Sequence, residues 1–129
     1  MDKVSRARYI KLMKPLYHPS AADITVEGIL YALSDPVRAQ IFAQIATSDC
    51  AHTCTSFSNL ADRVLPKSTL SQHFKVLREA GLIRSERSGV ELRNTARCTE
   101  IEERFGPLLA TIVEAYRGQH KDSPMKRIV

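Results

Sequence analysis

Two groups of side chains in this 129-residue sequence have the types and spacing for chemistry. In the first, Lys67, Ser68, Thr69, Ser71, Gln72, Lys75 and Arg78 bring hydroxyls, an amide and cations together, with no acid before Glu79. Such groups suit a phosphate-bearing partner. An amide such as Gln72 can pair bidentately with adenine, while hydroxyls and ammonium groups hold phosphates. The second group is the three cysteines. Cys50 and Cys54 stand four apart with His52 between them, and Cys98 lies far along the chain. Thiolates bind thiophilic ions, form reversible disulfides or take up reactive sulfur.

Elements must hold these groups in place. Leu70, Phe74 and Leu77 recur at i, i+4 and i+7, which predicts a helix over 68–80 with Gly81 as its left-handed cap. Fastening that stripe to a core leaves Ser68, Ser71, Gln72, Lys75 and Arg78 on the opposite side. A merely solvated helix would look the same, and it is the neighbouring segments that distinguish the two cases. Residues 82–87 and 90–95 flank Ser88-Gly89 and the second alternates, which predicts a β-hairpin. Arg84, Arg87, Arg93 and Arg97 flank its turn, partly offset by Glu86 and Glu91. Cations on a protruding hairpin can meet a nucleic-acid backbone or minor groove. Arg87 or Arg93 is expected to do so.

The remaining segments predict mainly helices. Val26, Ile29, Leu30 and Leu33 place one over 25–33. Asp35-Pro36 supplies an N-cap and a first-turn proline for another over 36–47, burying Val37, Ile41, Phe42 and Ile45. Residues 48–56 read as a polar loop, and 57–64 as a short helix ended by Pro66. Thr99 to Glu102 reads as a capping box that opens a last helical region, which Gly106-Pro107 should split. His73 is expected to pack beside the 68–80 helix. His18 and His52 are expected to face solvent, and Tyr9, Tyr17 and Tyr31 to fill a core or a dimer contact. The fold class is mainly α with a small β-hairpin, a winged helix-turn-helix. A basic N-terminal arm occupies 1–20, the domain 21–117 and a polar flexible tail 118–129.

Hydrophobic residues make up 43% and charged residues 26%, an ordinary globular composition. No run approaches the ~20 apolar residues of a membrane helix, and no signal peptide is evident, so the expected location is cytoplasmic. Nineteen Lys and Arg against 14 Asp and Glu give a net charge of +5, which favours a polyanionic partner.

The run Ala32-Leu33-Ser34-Asp35-Pro36-Val37-Arg38, together with residues 68–83 (STLSQHFKVLREAGLI), resembles ArsR-type bacterial repressors over roughly residues 25–116. The resemblance implies a homodimeric winged-helix regulator of double-stranded DNA with a two-fold operator. It also implies a dimer interface built by the first and last helices and release by an inducer. The family's metal ligands do not carry over. Ser56 and Ser58 stand where metal-sensing members have Cys-x-Cys, and the last helix offers only Glu114.

No cofactor is expected to be required. The cysteines are open to incidental placement, a redox or sulfur switch, or a thiophilic metal or metalloid. An odd number in a reducing compartment argues for free thiols. The chain has no nucleophile–base spacing, P-loop or dinucleotide glycine pattern, so no enzyme is expected. A thiol–disulfide protein acting through Cys50 and Cys54, or a winged helix used for protein contacts, are the competing readings.

Overall fold

The computed structural model describes residues 16–46, 52–53 and 65–119. A short 3-10 turn at Ala21–Asp23 leads into α1 (Val26–Ala32), then α2 (Pro36–Ala46), β1 (His52–Thr53) and α3 (Lys67–Glu79). β2 (Ile83–Ser88) and β3 (Glu91–Ala96) follow, and α4 (Cys98–Phe105) and α5 (Leu108–Gln119) complete the order. The helix expected over 57–64 lies outside the described residues.

The corner between α1 and α2 shows why Ala32 to Arg38 reads as it does. Thr25 opens α1 by accepting the Gly28 N–H on Oγ1 at 3.0 Å. Asp35 Oδ1 accepts the N–H groups of Val37 (2.8 Å) and Arg38 (3.2 Å), capping α2 as expected. Arg38 reaches back to the last carbonyls of α1, donating from Nε to Ala32 O at 2.8 Å and from Nη2 to Tyr31 O. Its guanidinium also lies over the Tyr31 ring, 5.3 Å from the centroid. Arg38 thus supplies a donor to Ala32 O at the end of α1, while Tyr31 O also accepts from the Ser34 N–H at 3.2 Å and hydroxyl at 2.6 Å.

α3 carries the expected stripe, with Leu70, Phe74 and Leu77 buried. It closes in a Schellman motif: Gly81 N–H donates to Arg78 O and Leu82 N–H to Leu77 O, both at 3.0 Å. Gly81 has φ +85, and Ile24 presses on it so closely that a Cβ would lie 2.5 Å from Ile24 Cγ1. The left-handed backbone and the close neighbour both require glycine.

β2 and β3 pair antiparallel from Ile83↔Ala96 to Ser88↔Glu91, so the turn falls on Gly89-Val90, one residue later than the sequence suggests. Gly89, with φ +65, takes the first turn position, as tight hairpins prefer. β1 adds a third strand through His52↔Asn94 and Thr53↔Arg93, giving the order β1-β3-β2. The reading of 48–56 as loop is corrected there: the free edge of β3 recruits two residues of a polar segment with no alternation to announce them.

The capping box at Thr99 is also corrected. α4 begins at Cys98 with Arg97 at its N-cap, and Arg97 N–H is already donated to Leu82 O. Glu100 instead grips the Arg97 side chain, accepting from Nε and Nη2 at 2.8 Å each. Gly106, at φ +67, separates α4 from α5 as expected, and α5 runs through Gly118 to Gln119, into the segment read as tail. The core joins Ile24 and Ile29 to Ile41, Phe42 and Ile45 of α2, the α3 stripe, Leu82, Ile83, Ile101 and Leu109. α3 and the hairpin are thereby fixed to one body.

Candidate nucleic-acid interface

On α3, Lys67, Ser68, Thr69, Ser71, Gln72 and Lys75 are all exposed. Pro66 stands at the N-cap and makes no side-chain cap, so the first-turn N–H groups lie beside two hydroxyls and a cation. Unmet N–H groups at a helix start favour anions. The apolar stripe faces inward and the hydrogen-bonding face outward, and no carboxylate interrupts that face before Glu79.

Arg78 does not belong to this face. It is only 8% exposed, and its Nη1 donates to Ser85 Oγ at 3.2 Å. Ser85 Oγ in turn donates to Asn94 Oδ1 at 2.6 Å, with Asn94 fully buried. Arg78 is therefore removed from the nucleic-acid contacts. It sits four residues after Phe74 and shares that residue's ridge, so its position outweighs its charge. The inward Ser85 and Asn94, on the core-facing side of an alternating hairpin, are the sequence signal for it.

The wing separates its four arginines. Arg87 and Arg93 are both exposed, but the register puts Arg87 beside Leu92 on one face and Arg93 beside Glu86 on the other. Together with Glu86, Ser88 and Thr95 they line a cavity of about 300 Å³. Arg84 and Arg97 are engaged elsewhere. Arg84 pairs with Glu100 at 3.7 Å, and the buried Arg97 donates to Glu100 and to Pro19 O at 2.9 Å. Arg97 is thereby held more firmly protonated, chiefly by its hydrogen bonds to Glu100, and the Glu100 carboxyl sits below its usual value for the same reason.

His18, expected in solvent, accepts the Ser85 N–H on Nε2 at 2.9 Å. Burial lowers its pKa from 6.5, and Arg84, Arg78 and Arg97 lower it further. This contact fastens residues 16–20 to β2, and its signal is absent from local sequence because the partners are 67 positions apart. His73 is half-buried on α3, its pKa lowered by burial, and its buried Nδ1 has no hydrogen-bond partner among the described residues. Tyr17 and Tyr31 are exposed rather than part of this chain's own core. Tyr9, Cys50 and Cys54 lie outside the described residues, as does the side chain of His52. Cys98 is half-buried at the start of α4, and burial, then the Glu102 carboxylate, push its thiol pKa up. Such a thiol is a poor nucleophile at neutral pH.

A helix held by its apolar side, its polar face outward, beside a cationic hairpin, defines a winged helix-turn-helix protein. Residues 33–86 match the family model described as a helix-turn-helix domain. Over 66 residues the chain is 39% identical to the HTH-type transcriptional repressor SmtB of two Mycobacterium tuberculosis strains, CDC 1551 / Oshkosh and ATCC 25618 / H37Rv. That stretch is 50% of this chain and 44% of the repressor, so the chain spans less than half the length of the curated relatives it matches. A solved structure, the ArsR-like Transcriptional Regulator from Rhodococcus sp. RHA1, is 23% identical, with 72% of this chain and 90% of that chain covered at a TM-score of 0.47. Over these stretches the chain is similar to helix-turn-helix domains and to a helix-turn-helix repressor. Among the described residues, no helix is long and apolar enough to cross a membrane.

Proposed function

We propose that this chain is a transcriptional repressor in the cytoplasm that binds a two-fold site on double-stranded DNA as a homodimer and is released by an inducer. The carrying observation is the exposed α3 face from Lys67 to Lys75 with its stripe anchored in the core. A helix so mounted fits a major groove, with Gln72 near base edges and Ser68, Thr69 and Lys75 at phosphates. Arg87 and Arg93 extend the contact from the wing. The likeness to repressors supports the regulatory role, and the exposed Val26, Leu30 and Tyr31 of α1 supply apolar surface for a second copy. The inducer acts on Cys50 and Cys54, as an oxidant, a sulfur species or a thiophilic metal or metalloid. Cys98 is a weaker candidate because burial and the Glu102 carboxylate raise its thiol pKa.

Fluorescence anisotropy with labelled DNA from upstream of the coding region tests the reading. Binding should weaken steeply with salt, and Gln72→Ala should flatten the preference for that DNA over scrambled sequence. Salt-independent affinity, or equal affinity for both DNAs in the unsubstituted protein, overturns it. Repeating the measurement with peroxide, persulfide, As(III), Cd(II) or Zn(II), against Cys50→Ser and Cys54→Ser, tests the inducer.

A further inference from the structure

A second site lies away from the α3 face. A cleft of about 360 Å³ opens between the C-terminal half of α2, the start of α4 and one side of α5. Phe42 and Leu109, both almost fully buried, form its floor, and the half-buried Cys98 and Val113 line it. Its edge is charged: Glu102 of α4 and Glu114 of α5 are exposed there, with Arg117 one turn further on.

Two carboxylates against one guanidinium leave the edge net negative. Neither carboxylate has an ion pair within 4 Å among the described residues, so both are available to a ligand. Cys98, Glu102 and Glu114 do not form a metal set, because no three such side chains among the described residues stand close enough to hold an ion. An apolar floor with convergent polar groups at the mouth is the usual form of a small-molecule site, and this volume is at the small end of the range.

We propose that this cleft binds a small organic cation, its aromatic or branched body on Phe42, Leu109 and Val113 and its protonated amine between Glu102 and Glu114. An anion of the same shape meets two carboxylates for one arginine and is rejected.

Isothermal titration calorimetry of the full chain with 4-ethylbenzylamine, and with 4-ethylbenzoate as the isosteric anion, tests this. No DNA is present, so the result is independent of the regulator reading. The amine should bind with a Kd of about 1 mM or tighter, and the benzoate about tenfold more weakly or not at all. The double change Glu102→Gln, Glu114→Gln should weaken the amine about tenfold or more, the loss expected when a charge-assisted contact is removed. Ala110→Trp, at an exposed position of α5 that lines the cleft, should abolish binding by filling it, with helix content unchanged by circular dichroism. No heat from the amine, equal binding of amine and benzoate, or full retention of binding in both variants overturns the proposal.

Discussion

Lys75 and Arg78 stand three residues apart on α3 and do opposite work. Lys75 is exposed and has no ion pair among the described residues, so Lys75→Ala should leave the unfolding free energy within about 0.5 kcal/mol. It should weaken DNA binding across all sequences and reduce the salt slope by about one unit. Arg78→Ala removes the donor to Ser85 and leaves the Ser85–Asn94 pair, buried beneath the wing, short of a partner. Stability should fall by about 1–3 kcal/mol in urea unfolding, the cost of orphaning a buried polar group. A stable Arg78→Ala protein with impaired DNA binding would return Arg78 to the outer face. Residue type predicted both side chains to be solvent contacts. What separates them is 100° of rotation per residue: Arg78 lies one turn beyond Phe74, whereas Lys75 has left the stripe.

Among the elements, those that rest on local chemistry were legible. The Asp35-Pro36 start of α2, the Gly81 cap of α3, the hairpin and the Gly106-Pro107 break each depend on residues a few positions apart. The elements that escaped depend on remote partners: β1 on β3, Arg97 on Pro19 78 positions away, and His18 on Ser85. Periodicity carries no information about such pairs. Two glycines separate local from tertiary constraint. Gly89→Ala meets nothing within 4 Å and carries only the left-handed backbone penalty, about 1 kcal/mol. Gly81→Ala adds a clash with the buried Ile24 and should cost about 2–4 kcal/mol, read as a larger drop in the urea midpoint.

The strap at residues 16–20 gives the element scale a pH dependence. Neutral His18 accepts from Ser85, and an imidazolium could not, because both its nitrogens donate. The groups facing it, Arg84, Arg78 and Arg97, are all cations that oppose a further positive charge. The pKa of His18 is lowered from 6.5 in the fold, so below that value the unfolded chain binds more protons than the native one. Its contribution is therefore full above pH 6.5 and is lost as the pH falls through the lower native value. His73 shifts in the same direction and adds to the loss. His18→Gln keeps an acceptor and removes the titration. The difference in urea midpoint between pH 7.5 and pH 5.5 should be smaller in His18→Gln than in the parent. An identical difference would mean that the strap does not titrate.

For the whole molecule, the exposed cations of the candidate interface belong to α3 and the wing, and an exposed apolar ridge belongs to α1. Lys67 and Lys75 of α3 and Arg87 and Arg93 of the wing are exposed, while Val26 and Leu30, 38% and 51% exposed, share a ridge on α1 at i and i+4. If the second is where another copy docks, breaking it should leave each α3 unchanged yet remove the advantage of binding two half-sites at once. The paired change Val26→Glu, Leu30→Glu replaces exposed side chains, so the fold should persist, with an unchanged circular dichroism spectrum. Sedimentation equilibrium should then show a monomer. Affinity for a two-fold DNA site should fall by about 10²–10⁴, the factor that linking two binding modules commonly supplies, while affinity for an isolated half-site stays the same. Loss of half-site binding as well would mean that α1 shapes the α3 surface directly. An unchanged sedimentation mass would place the dimer contact elsewhere on the protein.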